Sequence, residues 1–154
     1  RWFCGTAHRI EKEPVLQTIH PNRLLRGALL ADAVVSGAVA LLQLALAGPL
    51  AELLRLPSSL LLGSGAFLVA YVVLLIVLAR SARAWTALIW IVVLGNLAWA
   101  VGCVGLMFGA DAKPSALGVA FLGVQAVAVL TFAALEYKGL VESVGCAQAA
   151  VARA

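Results

Sequence analysis

Charge is what this sequence has least of. Only 12% of its 154 residues are Asp, Glu, Lys or Arg, whereas 64% are hydrophobic, and a soluble domain has about 25% charged residues. Residues 56–79, 84–110 and 114–135 contain no charge at all, and residues 27–51 contain one, Asp32. Each window is at least as long as the roughly 20 apolar residues that a membrane-spanning helix needs. The composition therefore favours an integral membrane protein over a soluble helical bundle.

Alternation of polar and apolar residues is also missing. A transmembrane β-strand alternates its lipid-facing and lumen-facing residues, but "FLVAYVVLLIVLA" and "LIWIVVLGNLAWAVG" are apolar almost throughout. A helix satisfies its own backbone hydrogen bonds in hydrocarbon, so it suits such runs. We predict an all-α, four-helix transmembrane bundle with helices at roughly 25–48, 59–79, 85–108 and 115–137. Residues 23–140 form this domain, between cytoplasmic tails at 1–22 and 141–154.

The basic residues predict the orientation. With the amino terminus inside, only Arg55 and Lys113 lie in outer loops. The inner segments then hold nine basic residues: Arg1, Arg9, Lys12, Arg23, Arg26, Arg80, Arg83, Lys138 and Arg153. This asymmetry follows the positive-inside rule and predicts a multi-pass inner-membrane protein with both termini cytoplasmic. Attraction to an anionic leaflet accounts for the net charge of +4, so the lipid bilayer is the expected partner and nucleic acid is not.

Several kinds of chemistry lack their residues. Both histidines, His8 and His20, precede the first span, so a bis-histidine haem within the bundle is not expected. The three cysteines, Cys4, Cys103 and Cys146, form no CxxC pair. Walker A, GxSxG and HExxH motifs are absent. We therefore predict no catalytic residue, no metal and no cofactor, which argues against an enzyme.

Polar residues inside the apolar windows are the informative exceptions. Asp32 and Ser36 share a helical face, and Asn96 and Gln125 lie about 15 Å from the ends of their helices, near the middle of the membrane. Two interpretations remain open: these groups join the helices, or they line a polar pocket or proton path. The predicted intramembrane polar cluster is Asp32, Ser36, Tyr71, Asn96 and Gln125. The predicted charges at the inner interface are Arg26, Arg80, Arg83 and Glu136.

One helix-packing motif occurs in the third predicted span. Gly105 and Gly109 form GxxxG, with Gly102 one turn earlier, and small residues at this spacing allow helices to approach closely. The sequence does not choose between an approach within the chain and one between subunits.

Three segments carry a resemblance to a group of proteins. "NRLLRGALLADAVVSGAVALL", "LGNLAWAVG" and "LGVAFLGVQAVAVLTFAALEYKGL" resemble small four-helix bacterial inner-membrane proteins of unassigned activity, across roughly residues 22–140. The resemblance implies four spans in a bacterial inner membrane. It implies no catalytic residue.

Three functions are consistent with this sequence. The first is a non-enzymatic accessory, assembly or structural component, in a homodimer or a larger membrane complex, with the glycine-rich helix face as its contact surface. The second is a small proton- or cation-coupled transporter acting as a homodimer through Asp32. The third is a membrane enzyme acting on a lipid or quinone.

Overall fold

Four long apolar helices dominate the molecule. The computed structural model describes residues 18–109 and 113–151. Helices α1 (Arg23–Ala45), α3 (Ser58–Arg80), α4 (Thr86–Phe108) and α5 (Ala116–Val151) are each long and apolar enough to cross a membrane. A short helix, α2 (Ala47–Leu54), joins α1 to α3, and β1 (Thr18–Ile19) pairs with β2 (Ala84–Trp85). The predicted all-α, four-helix transmembrane bundle is confirmed.

The helix boundaries differ from the predicted ones in two places. The first span ends at Ala45, and α2 follows almost at once and ends at Arg55, whose φ of 54° is left-handed. The last span does not end near residue 137, because α5 continues without a break to Val151. Most of the predicted tail at 1–22, with Cys4 and His8, lies outside the described residues.

The four long helices pack in the order α3, α1, α5, α4, and α3 and α4 are separated by a gap. Helix α1 packs against both α3 and α5, and α4 packs against α5, whereas α3 and α4 share few contacts. We call the end of the bundle that holds the start of α1 the terminal end, and the end that holds α2 the far end. The space between α3 and α4 is a cleft whose back wall is α1 and α5.

The terminal end is closed by apolar packing. A cluster of buried residues lies there, and its fully buried members include Leu25, Leu29, Leu75 and Ile89. A second buried cluster at the far end joins Leu54 and Leu56 to α3, α4 and α5. The cleft lies between these two clusters.

Polar contacts fix the start of α1 against the rest of the terminal end. The Asn22 side chain caps α1 by accepting from the Leu25 amide at 2.8 Å, and it donates to Glu142 at 3.0 Å. The Arg26 guanidinium donates to three backbone carbonyl groups, those of Pro21, Ala79 and Ser81, at 3.0–3.4 Å. These bonds tie the beginning of α1 to the ends of α3 and α5.

Two glycines permit close helix contacts within the chain. A Cβ atom added at Gly139 of α5 would lie 2.8 Å from the backbone of Leu25, and one at Gly118 would meet the Leu54 carbonyl oxygen. The predicted packing glycines behave differently. Gly102 and Gly105 are exposed on α4 with no atom within 4 Å of an added Cβ, and an added Cβ at Gly109 would meet its own helix. The close approaches in this chain therefore use glycines other than the GxxxG pair.

Candidate carboxyl site in the membrane cleft

Each long helix contributes one polar side chain to a cluster at the back of the cleft. These are Asp32 of α1, Tyr71 of α3, Asn96 of α4 and Glu136 of α5, with Ser36 one turn after Asp32. Asp32 and Glu136 are fully buried, and Asn96 is 2% exposed. These polar groups make most of their hydrogen bonds to one another.

Asp32 accepts three hydrogen bonds. Its Oδ1 accepts from the Ser36 hydroxyl at 2.7 Å, and its Oδ2 accepts from the Tyr71 hydroxyl at 3.0 Å and the Asn96 amide at 3.1 Å. The helical spacing from Asp32 to Ser36 puts both on one face of α1, which explains the first bond. The other two bonds connect α1 to α3 and α4.

Glu136 is joined to Asp32 through Asn96. The Asn96 Nδ2 atom donates to Glu136 Oε2 at 3.1 Å, the same length as its bond to Asp32. The second carboxyl oxygen, Oε1, is buried and has no hydrogen-bond partner. Two carboxyl groups thus lie within two hydrogen-bond lengths of each other in the interior of the bundle.

No basic side chain in the described part of the chain hydrogen-bonds to either carboxyl. Arg26 is the nearest along α1, but its guanidinium donates to the carbonyl groups at the terminal end. Arg80 and Arg83 are exposed. Asp32 therefore has no hydrogen bond to Arg26 or Arg83.

The cleft gives this cluster an opening. A cavity of about 360 Å³ lies between α3 and α4, with Asp32, Ser36, Tyr71 and Asn96 at its floor and otherwise mainly apolar walls. This volume is within the usual range for small-molecule sites. Glu136 does not line it and lies behind Asn96. On the terminal side the two carboxyls are followed by Leu29 and Leu140, one turn away along α1 and α5 and both buried.

Aromatic rings separate this cavity from a second one. The Phe67 ring of α3 stacks on the Trp99 ring of α4, with centroids 6.0 Å apart, and on Tyr71 at 6.4 Å. A cavity of about 500 Å³ continues beyond them to the far end, and Phe67 and Trp99 line both cavities. The Phe67–Trp99 pair is a direct contact between α3 and α4 across the cleft.

The remaining intramembrane polar groups form separate pairs. Trp99 Nε1 donates to the Gln125 side chain at 3.3 Å, and Ser64 donates to Gln43 at 3.0 Å. Of the predicted polar cluster, the structure brings together Asp32, Ser36, Tyr71 and Asn96 and places Gln125 beside Trp99. Gln125 lines the cleft but makes no hydrogen bond to the carboxyl pair.

The placement of Glu136 is a correction. The sequence predicts an interfacial charge, but the side chain is fully buried in the cluster. The cause is the length of α5: the start of α1 lies level with Ser143, whose hydroxyl accepts from the Asn22 amide at 3.1 Å, so Glu136 is nearly two turns deeper. Helical spacing did carry a signal, since Glu136 lies eleven residues after Gln125 and on the same face.

The composition of the cluster restricts its chemistry. Among the described residues no three His, Cys, Asp or Glu side chains come together as metal ligands do. A pair of carboxyls can exchange protons or bind a cation. Comparisons with known protein families, curated proteins and solved structures found no match.

Proposed function

We propose that this small integral membrane protein is a proton-linked carrier for small lipophilic molecules. The observation that carries the proposal is the Asp32–Asn96–Glu136 bridge at the back of a cleft in the membrane. A buried acid is costly in a span, and such residues usually serve ion or substrate pathways. Two of them share one amide here.

Proton exchange follows from the electrostatics of the pair. Two like charges this close in a low-dielectric interior repel strongly, and no bonded cation offsets them. One proton held by the pair removes the repulsion and leaves a single negative charge, which Asn96, Tyr71 and Ser36 stabilise by donating hydrogen bonds.

The polar cluster is open to the cleft on one side and covered by apolar residues on the other, which is the arrangement expected of a carrier. A carrier exposes its site to each side in turn, commonly by rocking one helix pair against another. The cleft reaches Asp32 from between α3 and α4, while Leu29 and Leu140 cover the carboxyl pair toward the terminal end. The weak contact between α3 and α4 allows the α1–α3 pair to move relative to α4–α5. We place the protein in a bacterial inner membrane as a homodimer, with both termini in the cytoplasm.

Proton movement in proteoliposomes tests this function. The full chain is reconstituted with a pH-sensitive dye inside, and three probes of similar shape are added outside: benzyltrimethylammonium, neopentylbenzene and phenylacetate. We expect at least one probe to change the internal pH relative to protein-free liposomes. Exchange of a cation for protons raises the internal pH, whereas uptake together with protons lowers it.

Matched variants connect that signal to the carboxyl pair. Asp32→Asn and Glu136→Gln should abolish it. Glu142→Gln removes an exposed carboxylate from the same helix as Glu136 and should retain it. A signal that persists in Asp32→Asn and Glu136→Gln, or a wild type that never differs from empty liposomes, would overturn the proposal.

An accessory or assembly role is the second candidate, supported by the exposed glycines of α4. Gly102 and Gly105 leave open space on that helix, which a helix of another subunit or partner could enter. Gly105→Leu leaves this chain's own packing intact and should disrupt such an assembly, as native mass spectrometry of the gently extracted protein would show. Normal assembly of Gly105→Leu would reject this role.

A further inference from the structure

The polar side chains around Asp32 at the floor of the cleft offer lone pairs and no free hydrogen to a bound molecule, and the further amide that lines the cleft, Gln125, lies beside Trp99. The Ser36 and Tyr71 hydroxyls both donate to Asp32, and the Asn96 amide donates to Asp32 and to Glu136. Each of these donors is therefore engaged. The Ser36 and Tyr71 hydroxyl oxygens keep their lone pairs, and Asp32 brings a carboxyl group to the cavity.

This inventory discriminates between classes of ligand. A quinone or a carboxylate binds through its oxygens and needs donors, and the donors around Asp32 are already committed to the acid pair. A carboxylate would also meet the charge of the acid pair. A cation needs the opposite, namely a negative charge and lone pairs in a site shielded from water.

The walls of the cleft suit an organic cation rather than a hydrated metal ion. Trp99, Tyr71 and Phe67 surround the opening with aromatic rings, and aromatic faces attract organic cations within about 6 Å. The other lining residues are mainly aliphatic. The cleft opens between two helices that face the membrane, so an amphiphilic molecule could enter it sideways.

We infer that the cleft binds a small lipophilic organic cation of the substituted-ammonium type, which displaces the proton of the Asp32–Glu136 pair. The inference rests on the proposed function and names its substrate class. The charges balance. Before binding, the pair holds one proton and the cation is free; after binding, the pair is fully ionised and holds the cation, and one proton has been released. Proton and cation therefore compete for the same negative charge.

Equilibrium binding of labelled benzyltrimethylammonium to the full chain in lipid nanodiscs tests this inference. We expect saturable binding that tightens as pH rises, by up to about tenfold per pH unit where one proton is exchanged. Neopentylbenzene, in which a carbon atom replaces the charged nitrogen, should compete poorly. Asp32→Asn should weaken binding at least about tenfold, or roughly 1.4 kcal/mol, while Glu142→Gln should bind as the wild type does.

The wild-type measurements keep the test decisive if a variant fails to fold. Binding that is independent of pH, or equal competition by neopentylbenzene, would overturn the inference without any variant.

The liposome assay separates the proposed carrier function from the proposed cation site. A pH change driven by phenylacetate or neopentylbenzene but not by the cation would retain the carrier and reject its substrate class. Cation binding that depends on pH, without movement of protons across the membrane, would support the proposed cation site and reject the proposed carrier function.

Discussion

Asp32 and Glu136 accept hydrogen bonds of equal length, 3.1 Å, from one nitrogen atom of Asn96. The three residues come from α1, α5 and α4, so a single amide joins three of the four spans. Tyr71 adds the fourth span through Asp32. The same contacts that place the carboxyls together therefore hold the bundle together, and the predictions below separate these two roles.

Removing the amide should destabilise the bundle measurably. Asn96→Leu leaves both buried carboxyls without this donor, and the expected loss is about 1–3 kcal/mol. Gln43→Leu is the matched control, because it also replaces a buried amide, while Ser64 keeps its bond to the Leu61 carbonyl. That change should cost nearer to the roughly 0.6 kcal/mol that is typical of hydrogen bonds between spans. The free energies of unfolding of both variants are compared in mixed micelles. Equal losses would mean that the Asn96 bridge stabilises the bundle no more than an ordinary hydrogen bond between spans does.

The contact between α5 and α1 should be intolerant of a single methyl group. Gly139→Ala puts a Cβ 2.8 Å from the Leu25 backbone, which cannot move without shifting α1. We expect a loss of about 1–3 kcal/mol. Gly145→Ala, on the same helix with nothing within 4 Å of the added atom, should be neutral or slightly stabilising because alanine favours helix. A Gly139→Ala protein as stable as Gly145→Ala would contradict the described packing.

Arg26 should matter for stability and not for proton exchange. Its guanidinium satisfies carbonyl groups at the end of α3, and Arg26→Met leaves them without this donor. Hydrogen bonds to charged groups contribute about 1.5–3 kcal/mol each, so a loss in that range is expected. Arg23→Met removes an exposed positive charge three residues earlier and should cost little. If Arg26→Met abolished the proton signal in a folded protein, Arg26 would have to act on the carboxyl pair.

Thiol labelling tests the proposed orientation. In a Cys4→Ser background, Cys146 is exposed near the end of α5, and Cys103 is buried in α4. With the terminal end in the cytoplasm, a membrane-impermeant maleimide should label Cys146 only after the cells are opened, and Cys103 should not react in the folded protein. Labelling of Cys146 in intact cells would reverse the orientation.

Much of the fold could be predicted from the distribution of charge. Three uncharged windows and one that contains a single charge predict the four spans, because a charge inside hydrocarbon is costly, and the structure confirms them. Helix α2 is not among the predicted helices, because a segment of eight residues has too little periodicity to define its ends. The two-residue pairing of β1 with β2 has no local signal, since Thr18 pairs with Trp85 and Ile19 with Ala84, far away along the chain.

The site was less accessible to sequence reasoning, and Glu136 shows why. The fourth helix is predicted to end at residue 137, which puts Glu136 at its inner end. The helix instead continues past Ser143, which lies level with the start of α1, to Val151, so Glu136 lies in the interior of the bundle. Helical periodicity gives the face of a residue, but its depth depends on how neighbouring helices are offset. That offset is set by contacts such as Gly139 against Leu25.

The number of protons released when a cation binds tests the central claim most directly. Benzyltrimethylammonium is added to saturation in a weakly buffered medium near neutral pH, and released protons are counted against bound cation. The account predicts about one proton per cation for the wild type, because the pair gives up the proton that its two carboxyls share. Glu136→Gln should still bind the cation at Asp32 and release almost none. Binding without proton release in the wild type, or the same release from Glu136→Gln, would show that Asp32 and Glu136 do not act as a proton-exchanging pair.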